Sequence, residues 1–170
     1  MKTAQFLALA LGTAALLGVS QVRAATQSVT ANINFDAPVT LTKTADINFG
    51  TMTASNASTY RITTAGVITT TVGTGAYLYG ATNAGSITIV GGADTLAISV
   101  GGYTVNNGVT PSNASCAYNG GAAVTPCSYA AAVAPGAGKT LLLGVDVAAD
   151  GTQAPGFFAA PTFTVTVVNN

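Results

Sequence analysis

The side chains able to do chemistry here are two cysteines, five aspartates, three lysines and two arginines, with no histidine and no glutamate. Acid–base catalysis near neutral pH needs a group that titrates there, or a nucleophile with an adjacent base. Without histidine a serine triad cannot form, and a Ser–Lys pair would have to recruit Lys43 or Lys139 from segments that read as exposed. Asp146 and Asp150 are the aspartate pair closest in sequence to a glycosidase arrangement, but beside Gly151 they read as residues that cap and turn a hairpin. Their spacing also lacks the alternating oxygen ligands of a calcium loop. Val133 to Thr140 approaches a phosphate-binding loop, with Val133 in place of its first glycine. Such a loop needs a helix after its Lys-Thr, and Leu141 to Val147 reads as a strand. The expectation is a protein that is not an enzyme and carries no cofactor and no metal. Cys116 and Cys127 are then expected to form a disulfide, because two thiols without histidine are too few ligands for zinc. Closing a loop of roughly 12 residues would contribute about 3 kcal/mol and pin that loop.

The compartment expected from the N-terminus permits that bond. Lys2, an apolar run from Phe6 to Val19 and the small-residue end Val22-Arg23-Ala24 have the layout of a secretory signal peptide. The apolar run is shorter than the roughly 20 residues that span a bilayer. Residues 1–24 are therefore expected to be cleaved, leaving residues 25–170 as one domain outside the cytoplasm, after periplasmic transit, with no membrane span. That stretch holds Lys43, Arg61 and Lys139 against five aspartates, and no basic patch to attract nucleic acid. So few charges suit a surface meant to pack against other copies, or equally one that Thr, Ser and Asn keep wet instead.

The elements that would position these residues read as strands. From Val29 to Leu41 apolar and polar residues alternate without a break, the period of an extended chain with one apolar edge. Further short β-rich runs, at 59–63, 67–72, 76–79, 86–90 and 95–100, are separated by glycine and asparagine. Asn106 to Gly138 reads as a long loose excursion stapled by the disulfide, and Ala130 to Ala134 as one helical turn at most. Strand character returns at 140–147, and Phe163, Val165 and Val167 alternate in a closing strand. The whole predicts an all-β sandwich.

Ala37-Pro38-Val39-Thr40-Leu41 leading to Asp46-Ile47-Asn48-Phe49-Gly50 resembles the opening of the bacterial exported family catalogued as domain of unknown function 4402. Leu143-Gly144-Val145-Asp146-Val147, the turn at Asp150-Gly151, Gly156 and the final Thr164-Val165-Thr166-Val167 are similar to its closing strands. The resemblance implies a single immunoglobulin-like, pilin-like sandwich on the surface of a Gram-negative bacterium, with looser kinship to fimbrial and spore-coat-like subunits. It implies no catalytic residues. Two features depart from chaperone–usher pilins, namely Asn169 where an aromatic usually stands and the late position of both cysteines.

These readings converge on a structural subunit of an extracellular filament or surface layer, joined by β-strand addition to copies of itself or a related envelope subunit. The alternating run is too long for one strand and Pro38 cannot donate to a ladder, so Val39 to Leu41, with Ile47 and Phe49, are assigned to the domain's own first strands. The candidate donor arm is residues 27–35, with Val29, Ala31, Ile33 and Phe35 as the inserted side chains. The alternative is a monomeric secreted adhesin or binding domain that uses the region from Tyr103 to Tyr129.

Overall fold

The computed structural model describes residues 27, 30–33 and 35–170. The expected signal peptide and Val29 lie outside the described residues. The chain divides into residues 1–33 and residues 34–170. In the first unit the described residues, 27 and 30–33, carry no strand and are exposed.

The second unit is all-β among the described residues. Its strands are β1 (Thr40–Ala45), β2 (Thr51–Met52), β3 (Ala57–Ile62), β4 (Ile68–Val72), β5 (Tyr77–Tyr79), β6 (Gly85–Val90), β7 (Leu96–Thr104), β8 (Val109–Tyr118), β9 (Ser128–Ala132), β10 (Lys139–Asp150) and β11 (Thr162–Asn169). Every pairing is antiparallel. The larger sheet is built on β10, which pairs with β8 along one edge and with β6 and then β3 along the other. β1 extends the sheet beyond β6, and β4 extends it beyond β3. Gly144 marks the change of partner from β6 to β3, where a Cβ would run into the Ile62 carbonyl. A smaller sheet has the order β11-β7-β9, and β2 and β5 form a short ribbon.

The two main sheets bury one face each in a shared core. Ile89 of β6 and Leu141 and Leu143 of β10 pack with Leu96 and Ile98 of β7, and Phe163, Val165 and Val167 of β11 cover them. Tyr60, Ile62, Ala114, Val145 and Val147 extend the core along the second half of β10. The architecture is a β-sandwich, as the alternation predicts.

Cys116 and Cys127 are disulfide-bonded, with Cα atoms 5.1 Å apart. The bond does more than pin a loop. It joins β8 in the larger sheet to the residue preceding β9 in the smaller one, and both cysteines are buried in the shared core. The segment 106–138 is also corrected, since most of its first half is β8 and Ala130 to Ala132 belong to strand β9 rather than to a helical turn. The reason lies in the pairing of β8. The buried alternation runs Pro111, then Ala114, Cys116 and Tyr118, with Ala117 buried as well, a one-residue slip at Asn113. The β8–β10 register shifts there, and Asn113 takes a φ of 47°. A bulge of this kind breaks the period-two signal while leaving the strand intact. At the other end of the chain, β1 begins one residue later than assigned and runs on to Ala45. Ile47 and Phe49 flank a single bridge between Asn48 and Asn83 and are partly buried against the core.

Asp146 lies mid-strand rather than in a turn. It is paired across the ladder with Arg61 and buried, and its carboxylate accepts two guanidinium bonds, at 2.6 and 2.7 Å, and one from the Asn113 side chain at 3.3 Å. The pair therefore ties β3 to β10, while Asn113 adds β8. Arg61→Ala leaves a buried carboxylate without its half-exposed counter-charge, a loss of about 1.5 to 3 kcal/mol. Urea unfolding monitored by circular dichroism measures it, and a change under about 0.5 kcal/mol, the scale of an exposed pair, contradicts this role.

Candidate functional site

Two strand edges face an apolar groove of about 1450 Å³. Among the described residues β1 pairs only with β6, and β11 pairs only with β7. Both therefore present main-chain N–H and C=O groups along one side. Alternation decides what β1 shows, Leu41, Lys43 and Ala45, while Phe163 and Val165 supply the half-buried apolar lining from β11. The floor is the inner face of the larger sheet, with Leu143, Val145 and Val147. Thr162 and Thr164 of β11 also border the groove, and with Thr166 they are exposed.

Among the described residues Lys43 is the one cation in the lining, and its Nζ reaches the Asp46 carboxylate at 2.7 Å near the surface. The four-carbon stem adds apolar lining while the ammonium stays in water. A charge on an edge strand also discourages indiscriminate pairing.

The two ends of the groove differ. At the start of β1 and the end of β11, Val39 and Val167 pack against the core, and neither contributes to the groove lining. At the opposite end the lining widens to include Met52, Leu78, Tyr79, Phe157 and Phe158. Phe158 is 79% exposed and Tyr79 67%.

These phenylalanines belong to an anchored loop between β10 and β11. Asp150 accepts bonds from the Thr152 amide at 2.9 Å, the Thr152 hydroxyl at 2.7 Å and the Gln153 side-chain amide at 2.7 Å. Gln153 also donates to the Asn107 carbonyl at 3.1 Å, Asn107 donates to the Phe158 carbonyl at 3.0 Å, and the Ala160 amide donates to the Asn106 side chain at 2.9 Å. The β7–β8 turn thus holds an apolar pair out toward solvent.

The segment leading into β1 is anchored at the narrow end. Asp36 accepts bonds from the Ala37 amide at 2.8 Å and the Ala93 amide at 3.3 Å, and its carboxylate sits where a Cβ at Gly92 would lie. Of the predicted insertion residues, Ala31, Ile33 and Phe35 lie outside any strand and are exposed, Ile33 at 76% and Phe35 at 82%; Val29 lies outside the described residues. The groove walls were not singled out by sequence reasoning. Adjacent Phe157 and Phe158 between Pro155 and Pro161 were the available signal, because a loop rich in proline and glycine has no core of its own in which to bury them.

Other candidate chemistry has a structural account. The Val133–Thr140 segment borders a shallow depression of about 550 Å³, but its Lys139 and Thr140 already belong to strand β10 and Gly136 exchanges main-chain bonds with Gly91 and Gly92. Among the described residues no three metal-ligating side chains cluster, and no helix is long and apolar enough to cross a membrane.

The Asp150 contacts carry a pH dependence. Bonds from the Thr152 hydroxyl, its amide and Gln153 hold the Asp150 carboxyl below its ordinary value of 3.8. A depressed folded pKa means that the contribution is present above 3.8 and is lost as the pH falls through the lower folded value. Hydrogen exchange of the 151–160 amides, corrected for intrinsic rates, is expected to accelerate over that acidic range. Asp150→Asn should remove the step, and an identical profile in that variant contradicts the anchoring role.

No family model, curated protein or solved structure matches the chain.

Proposed function

We propose that this protein is a structural subunit of an extracellular filament or surface layer, assembled when the segment 27–35 of one copy adds as a strand to the groove of another. The observation that carries this reading is the apolar groove bounded by the unpaired edges of β1 and β11. Strand addition satisfies both requirements of such a site. Main-chain bonds pair the open edges, and alternate side chains fill the groove.

The segment has matching properties. Nine extended residues reach roughly 30 Å, and the eight residues of β11 reach about 27 Å. Ala31, Ile33 and Phe35 recur at the period of a strand, and all three are exposed. Burying Ile33 and Phe35 contributes about 1.5 to 3 kcal/mol each. Asp36 is anchored at Ala93, so the segment is attached to its own domain beside the start of β1. The core-buried disulfide suits the oxidising compartment that export through the periplasm supplies. The resemblance to the 4402 family and its immunoglobulin-like, fimbria-related architecture supports the same assignment.

Deleting residues 27–35 tests it. A donated segment predicts a domain with an unchanged unfolding transition whose assembly, followed by electron microscopy and sedimentation, falls at least ~100-fold, the equivalent of about 3 kcal/mol. A deletion that unfolds the domain assigns the segment to its own sheet and overturns the proposal.

A further inference from the structure

From the unequal ends of the groove we infer a direction of assembly: the segment of a second copy enters at the aromatic end, antiparallel to β11, and builds an open head-to-tail chain. This rests on the strand-addition reading above and adds the polarity of the inserted strand and the surfaces that meet around it.

The groove can be approached from either end in principle, and the two routes give different assemblies. The segment joins the domain beside Ala93, at the narrow end, where β1 begins and β11 finishes. If a neighbour's segment entered at that same end, two narrow ends would meet, and two copies could satisfy each other in a closed dimer with a two-fold axis. If it enters at the aromatic end, the narrow end of one copy meets the aromatic end of the next. That contact is heterologous and leaves a free groove at one terminus and a free segment at the other.

Three observations select the second route. Val39 and Val167 pack into the core at the narrow end, whereas the lining spreads at the aromatic end to Phe157, Phe158 and Tyr79. Those side chains are largely exposed although the Phe158 backbone is fixed by Asn107, so the chain orders an apolar surface that its own fold leaves uncovered. The bulkiest side chain of the segment also fits. Entering from the aromatic end sets Phe35 at the mouth lined by Phe157 and Phe158, with Ile33 and Ala31 further in and Val29 beyond them. Positions 31, 33 and 35 span two strand repeats, about 13 Å, the same spacing as Leu41, Lys43 and Ala45 along β1. The inserted strand then runs antiparallel to β11, the more stable of the two ladder geometries, and parallel to β1.

The occupant is therefore a second copy of this chain. Phe35 of the incoming copy meets the Phe157–Phe158 pair, and the Asp36-bearing end of its domain seats against the 153–161 loop.

Photo-cross-linking in the full chain, assembled from equal parts of isotopically light and heavy protein, distinguishes the outcomes. A benzoylphenylalanine at the exposed position 35 is expected to capture residues 157–163 of a differently labelled copy and to give a ladder of multimers. The same probe at position 158 should capture residues 33–37 of a neighbour. Capture of residues 167–170 from position 35, with a dimer as the largest product, overturns the polarity but leaves strand addition standing. Cross-links confined to one isotopic label, or no multimers at all, overturn strand addition and this inference with it.

Discussion

β10 is the strand on which the other elements depend. Over twelve residues it bonds to β8 on one side and to β6 and β3 on the other, and it supplies Leu141, Leu143, Val145 and Val147 to both parts of the core. A strand used on both edges and buried on its inner face has little freedom of register, because a slip of one residue would carry all four apolar side chains out of the core. The details follow from that constraint. Gly144 has no Cβ because the Ile62 carbonyl passes close by, the bulge at Asn113 lets β8 follow the same path, and the Arg61–Asp146 pair locks β3 in step on the outer face.

A sheet organised around a central strand still has to end. One end of the larger sheet is β1 and one end of the smaller is β11, and these two edges flank the groove. Natural sheets blunt such edges with charge, proline or a covering element. Here Lys43 is the one charge set into the lining from β1, and β11 is a run of threonine and apolar residues. The low charge of residues 25–170 points the same way, since little electrostatic repulsion keeps copies apart. In the proposed assembly the open edges and the sparse charge share one cause, the need to accept a strand.

Much of the fold was legible because period two survives wherever a strand has one face in the core and one in water. β6, the first part of β7 and β11 follow that rule, and their boundaries lie within a residue or two of the expected ones, apart from the end of β7. β8 was hidden for a local reason, since Asn113 shifts the phase and turn-forming residues crowd the region on both sides. β9 was hidden by composition, because three consecutive alanines carry no strand signature until pairing with β7 places Ala132 in the core. The disulfide could be paired from the sequence, but its position between the two sheets depends on where the chain crosses from β8 to β9. The groove was the least legible feature. It belongs to two edges distant in sequence, and no periodicity within either strand reveals that the space between them is empty.

The central claim is that β11 offers an unpaired edge that the segment 27–35 can fill, and hydrogen exchange on β11 tests it most directly. A synthetic peptide spanning residues 27–35 would be titrated into protein lacking that segment. The account predicts saturable binding and marked slowing at those β11 amides that do not bond to β7. Amides already protected without peptide, or binding that leaves their exchange unchanged, would contradict it.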